Sequence, residues 1–171
     1  GENSIIIFSG LGKYFLDIIS HHVLIKQQIL SIVKKKHLQN VQQEYDCIGL
    51  HLRLGDYPSE LRMDLPWCEK IIIQLRKVIG QKKILLFTDG RESELGVFLK
   101  KVENIEITSF GNALSDLIAL SRCKYLIASD STFSGWAAYL GRMPAIFYTR
   151  HFGPVYNSKN EFEVVMKEPD N

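Results

Sequence analysis

Cys47-Ile48-Gly49-Leu50-His51-Leu52 is an apolar run of strand length. It is followed by a proline-opened helical stretch over residues 66–79 and by a second apolar run, Lys83-Ile84-Leu85-Leu86-Phe87-Thr88. Strand, helix, strand in that order, with both strands apolar throughout, describes parallel strands covered by helices on both faces. The alternation continues downstream. Residues 91–101 read as a helix, 105–108 as a short strand, 113–122 as a helix, 125–129 as a strand, 132–140 as a helix and 144–148 as a last apolar strand. Upstream, the β-branched run 4–8 closes on Ser9-Gly10-Leu11-Gly12, and Leu24, Ile25, Ile29, Ile32 and Val33 recur at helical spacing. Lys34-Lys35-Lys36 at the end of that helix reads as a cap on its carbonyl end rather than a nucleic-acid patch, because basic side chains in a last turn complement the helix dipole. The expected fold is α/β, a doubly wound, Rossmann-like parallel sheet.

Composition agrees with one folded unit. The 171 residues match a single domain, and 46% hydrophobic residues with a net charge of only +2 exclude a disordered chain. The near balance of 21 basic and 19 acidic residues argues against a protein that coats nucleic acid or acidic membrane. Cys47, Cys68 and Cys123 are odd in number and widely spaced, so they suggest neither a disulfide framework nor a zinc site. Buried thiols in a reducing compartment are the simpler reading. No apolar stretch approaches the ~18–20 residues of a transmembrane helix, so the chain is expected to be soluble with no transmembrane segment. Gly1-Glu2-Asn3 leaves open that the chain belongs to a longer protein.

In doubly wound sheets, ligands lie outside the carboxyl ends of the strands, near the point where strand order reverses. The polar residues that follow each strand are therefore the candidates. His51-Leu52-Arg53-Leu54-Gly55-Asp56-Tyr57 ends the first long strand, and alternation predicts His51 and Arg53 on one face. A forked guanidinium facing the crevice suits two phosphate oxygens, and pairing of Arg53 with Asp56 as a structural contact is the alternative. Ser129-Asp130-Ser131-Thr132-Phe133-Ser134 leads from a strand into a helix. Free amides there, beside the Ser131, Thr132 and Ser134 hydroxyls, make either an anion seat or an ordinary N-cap. Thr88 and Asp89 reach a ribose or, more simply, cap the helix beginning near Arg91. Asp116, early in its helix, reads by itself as dipole complementation.

Several chemistries lack their signatures. No GxGxxG, GxxxxGK[ST] or GxSxG motif is present, which disfavours a dinucleotide oxidoreductase, a Walker-type ATPase and an α/β-hydrolase. No D-x-D pair is present to hold a metal on a diphosphate, so no metal is expected.

Taken together, the motifs resemble one family. Ile48-Gly49-Leu50-His51-Leu52-Arg53-Leu54-Gly55-Asp56-Tyr57 resembles the H-x-R-x-G-D-Y motif of the α-1,2-fucosyltransferases. Phe87-Thr88-Asp89 is similar to that family's F-S/T-D strand end, and Asp116 through Ala128 to its aspartate, helix and C-K/H strand. Ser129 through Leu140 is similar to N-S-T-F-S-W-W-A-A-x-L, and Gly12-Lys13-Tyr14-Phe15 to S-x-K-Y-F. The resemblance implies the nucleotide-binding half of a glycosyltransferase-B fold, with residues 1–40 as an N-terminal strand and connecting helices, residues 41–171 as the donor-binding core, and the N-terminal acceptor domain absent. It implies inverting, metal-independent transfer of L-fucose from GDP-fucose to a glycan acceptor, expected to contain galactose. The alternative is a non-catalytic domain that binds GDP or a GDP-sugar.

Carried over by position, Arg53 would hold the β-phosphate and His51 would support the nucleotide. Ser131, Thr132 and Phe133, with Ser134, would seat the diphosphate, and Asp116 would bind guanine or ribose. Asp89 would be a nucleotide or structural contact, and Asp56 an orienter of Arg53 or a base. The compartment would be the cytoplasm or a peripheral membrane position in a bacterium, or the Golgi lumen for an animal enzyme without its anchor. Asp130 in place of asparagine, Gly135 in place of a tryptophan and Leu54 in place of a second arginine depart from the family pattern.

Overall fold

The apolar run around Leu50 forms β1 (Tyr45–Leu52), and the computed structural model, which describes residues 14–150, 155 and 163–166, sets it inside a six-stranded sheet. α2 (Leu65–Ile79) leads to β2 (Ile84–Thr88), α3 (Glu92–Lys101) to β3 (Ile105–Ile107), α4 (Ala113–Leu120) to β4 (Cys123–Ala128), and α5 (Thr132–Gly141) to β5 (Ala145–Phe147). β6 (Glu163–Val165) completes the order β3-β2-β1-β4-β5-β6, and every neighbouring pair is parallel. The order runs outward in both directions from the junction of β1 and β4, so the crevice between their carboxyl ends is the switch point of the sheet.

Side-chain caps start α2, α4 and α5. Asp64 caps α2 by accepting from the Trp67 amide at 3.0 Å, with Pro66 in the first turn where its missing N–H leaves nothing unpaired. Asn112 caps α4 through the Ser115 amide, and Ser131 caps α5 through the Ser134 amide. Alternation along β1 divides the core. Ile48, Leu50 and Leu52 pack with α2 and α3, including Trp67, Ile72, Leu95 and Phe98. Cys47 joins Ile118, Leu120 and Tyr139 on the face of α4 and α5. Gly49 shares that second face because a Cβ there would lie 2.6 Å from Leu120 Cδ1.

Ahead of the sheet, a 3₁₀ helix (Tyr14–His21) runs into α1 (His22–Ile32). Phe15 packs edge-on against Trp136 with ring centroids 5.2 Å apart, and the Tyr139 hydroxyl donates to the Ile18 carbonyl at 2.7 Å, tying this segment to α5. The three lysines do not cap α1. The helix ends before an extended Val33, and Lys35–His37 forms a separate 3₁₀ turn, so the lysines lie past the carbonyls they were expected to meet. α4 stops at Leu120 rather than at 122, because Arg122 N bonds back to Ala119 and its carbonyl accepts from Tyr45, which starts the β1–β4 pairing at Cys123. The short β6 was not anticipated. The expected strand at 4–8, the Ser9–Gly12 closure and Lys13 lie outside the described residues.

Candidate functional site

Arg53 is the first residue beyond β1, at the switch point. Its amide donates to the Ser129 hydroxyl at 3.1 Å, and the Ser129 amide donates to the His51 carbonyl, so the ends of β1 and β4 are laced together. Its Nε lies 3.2 Å from Asp89 Oδ2 and its Nη2 donates to Asp56 Oδ1 at 2.6 Å. The guanidinium is 39% exposed and the Asp56 side chain 79%, so the Asp56 pair is a solvent-accessible contact worth ~0–1 kcal/mol that an arriving anion can replace.

Asp89 is the fixed member of this group. Its Oδ1 accepts from the Leu54 and Gly55 amides at 2.7 and 3.0 Å. Burial alone would raise its pKa, but those two amides and the Arg53 guanidinium outweigh burial and hold the carboxyl below its ordinary value. Asp89 therefore does not cap α3. Arg91 stands at that N-terminus with its amide bonded to Glu94, while Thr88 accepts from the Gly90 amide. A Cβ on Gly55 would lie 3.0 Å from Asp89 Oδ2 and press on this contact.

His51 and Arg53 part company. His51 is 6% exposed and turns under α5, with Nδ1 2.7 Å from the Ser134 hydroxyl and its ring centroid 4.8 Å from that of Phe133. Burial lowers its pKa to about 4, with Arg53 adding to the effect and Asp89 opposing it, so the imidazole is neutral at pH 7. Ser134 is fully buried, its hydroxyl shared between His51 and Ser131. It supports the crevice from beneath rather than offering a hydroxyl to it, which corrects its expected place as a direct ligand. Ser131 is the N-cap, so the expected N-cap is present, and it leaves the first-turn amides of Thr132 and Phe133, which have no residue four places back in the helix, facing outward. Cap and anion seat are compatible here.

Asp116 lies at the same end of the sheet, two strands from β1. It accepts from the Phe110 amide and from the Ser109 hydroxyl, so it shapes the loop between β3 and α4. Asp130 is 7% exposed and is not the cap of α5. The Tyr57 hydroxyl donates to its carbonyl at 2.5 Å, which closes the β1 loop onto the start of α5. Tyr57 stood in the motif without an assigned role. Arg150, just beyond β5, is another polar residue that follows a strand, with no part in the motif pattern above. Cys47, Cys68 and Cys123 are buried free thiols. Among the described residues no cluster of three or more His, Cys, Asp or Glu could hold a metal ion, and no helix is long and apolar enough to cross a membrane.

Comparison with known proteins places the fold and the family. The heptosyltransferase WaaC of E. coli, solved with ADP, is 15% identical with a TM-score of 0.56, over 83% of this chain and 42% of WaaC. A glycosyl transferase family 9 protein from Veillonella parvula is 15% identical with a TM-score of 0.50, over 85% of this chain and 40% of that one. These likenesses show the fold, that of one half of a glycosyltransferase-B architecture. In sequence, the O-antigen biosynthesis glycosyltransferase WbnK of E. coli is 26% identical over 127 residues, which is 68% of this chain and 42% of WbnK. The chain thus spans less than half the length of the relatives it matches. The model of glycosyl transferase family 11 matches residues 11–151, and the chain belongs to that family.

Proposed function

We propose that this domain binds the donor in an inverting fucosyl transfer, in which L-fucose moves from GDP-fucose to a glycan hydroxyl without a metal. The observation that carries the reading is that Arg53 leaves β1 with its amide bonded to Ser129, two residues ahead of the Ser131 cap of α5, so the arginine and the free first-turn amides of α5 belong to neighbouring strand ends at the β1–β4 switch point. Breaking the anomeric bond leaves negative charge on the departing GDP. Preorganised donors aimed at that charge lower the barrier, each by about 2.7–4 kcal/mol in comparable oxyanion sites. Arg53 meets the β-phosphate, exchanging its exposed contact with Asp56 for phosphate oxygens while Asp89 holds Nε in place. Neutral His51 carries no competing charge and, through Phe133 and Ser134, props the first turn of α5. Asp116 sets the β3–α4 loop beside the nucleoside end, and Asp56, released from Arg53, becomes a carboxylate facing the crevice.

GDP is the test. Titration with GDP raises the melting temperature, because a ligand that binds only the native state stabilises it by mass action, and Arg53→Ala removes most of that rise. An unchanged melting curve at millimolar GDP would overturn the donor reading. Incubation with GDP-fucose and galactose-containing glycans then separates a transferase from a domain that binds GDP without turnover.

A further inference from the structure

Asp130 sets a carboxylate one residue ahead of the cap of α5, next to the amides proposed above to receive a diphosphate. At 7% exposure it has little water to screen it, and an unbalanced charge there would repel phosphate oxygens. The neighbouring strand carries a basic residue toward the same end of the sheet. Ala128 pairs with Phe147, and the Tyr148 amide donates to the Ala128 carbonyl at 3.0 Å, so the segments after β4 and β5 leave the sheet side by side with Asp130 and Arg150 at the same end.

The Arg150 guanidinium is held from two directions. It lies 5.4 Å above the Phe147 ring and is ion-paired with Glu163 at the start of β6, whose carboxylate also accepts from the Val155 amide at 3.1 Å. The side chains of Arg150 and Glu163 are 12% and 2% exposed, so this pair is built into the edge of the sheet rather than draped on the surface. Burial lowers the pKa of Arg150, and the charge of Asp130 opposes that effect.

We infer that Arg150 is a positioning residue that neutralises Asp130, so that the seat at the head of α5 accepts a diphosphate despite carrying an acid beside it. This rests on the donor reading. The guanidinium acts through Asp130, and Glu163 fixes where it stands.

GDP binding by calorimetry tests the coupling. Arg150→Met weakens GDP by about tenfold, and adding Asp130→Asn to that variant returns the affinity to within about threefold of the wild type, whereas Arg150→Lys retains most of it. A purely structural role for Arg150 would not be rescued at Asp130. Equal weakening with and without Asp130→Asn overturns the assignment, as does wild-type affinity in Arg150→Met. Glu163→Gln is the second variant, usable where Arg150→Met is too unstable to titrate. It frees the guanidinium from its anchor and weakens GDP binding about threefold, a loss that adding Asp130→Asn removes, while unchanged binding, or a loss that persists with Asp130→Asn, overturns the assignment. Absence of GDP binding by the wild type would instead remove the donor reading itself.

Discussion

On the side of α2 and α3, β1 meets hydrocarbon: Ile48, Leu50 and Leu52 pack against Ile71, Ile72, Leu95 and Phe98. On the side of α1, α4 and α5 the core is also apolar, yet it contains His22, His51, Ser115 and Ser134, each bonded to a neighbouring element. A buried polar group is costly unless its hydrogen bonds are made, so such groups restrict how the elements around them can sit. The first face can be repacked with little effect on the crevice. The second transmits any change directly to the head of α5, because His51 and Ser134 belong both to the core and to the wall beneath the site.

Substitutions can break or sharpen this contrast. The largest effect is expected on the dry face, where Ile72→Ala removes a nearly fully buried side chain and lowers stability by about 2–5 kcal/mol in urea unfolding. GDP affinity of the folded fraction is expected to be unchanged, and a loss of affinity would show that the two faces are coupled. Next is acid sensitivity. His51 has a folded-state pKa of about 4 against an ordinary 6.5, so the unfolded chain takes up its proton first. Its contribution is complete above about pH 6.5 and is lost as pH falls toward 4, by about 3 kcal/mol in all. His51→Gln flattens that part of the stability–pH curve, and an equally steep curve would place the acid response elsewhere.

Arg53→Ala is expected to reduce GDP affinity by about 1.5–3 kcal/mol, the range of a hydrogen bond to a charged group, while the unfolding midpoint in the absence of GDP moves little. A large fall in stability instead would make its pairing with Asp89 its main role. Smallest is Asp56→Asn, which removes one partner of an exposed ion pair and is expected to shift stability by less than about 1 kcal/mol. Its effect on turnover, measured in a chain shown to transfer fucose, separates an acceptor base from a residue that only orients Arg53.

Much of the molecule was legible from local chemistry. The apolar strands, the Pro66 helix start and the candidates at His51, Arg53 and Ser131 all follow from patterns within a few residues, where periodicity and capping act. The misreadings share a cause. Local sequence favours Asp89 as the cap of the helix next to it, but it makes a structural contact with amides more than thirty residues away, in the loop after β1. Ser134 was counted with its exposed neighbours, but helical geometry turns it inward onto His51. The lysines were attached to the nearest helix, which had already ended at an extended Val33.

The order of residue types along the chain determined that this would be a parallel α/β sheet with its candidate site residues at the strand ends, because hydrophobic period and turn composition are local quantities. Which carboxylate meets which guanidinium, whether the imidazole is charged, and that the segments carrying Asp130 and Arg150 leave neighbouring strands were decided only in the folded molecule. Those facts depend on strand order and burial, which bring together segments the chain keeps far apart, and on the loss of solvent that gives each charge its strength.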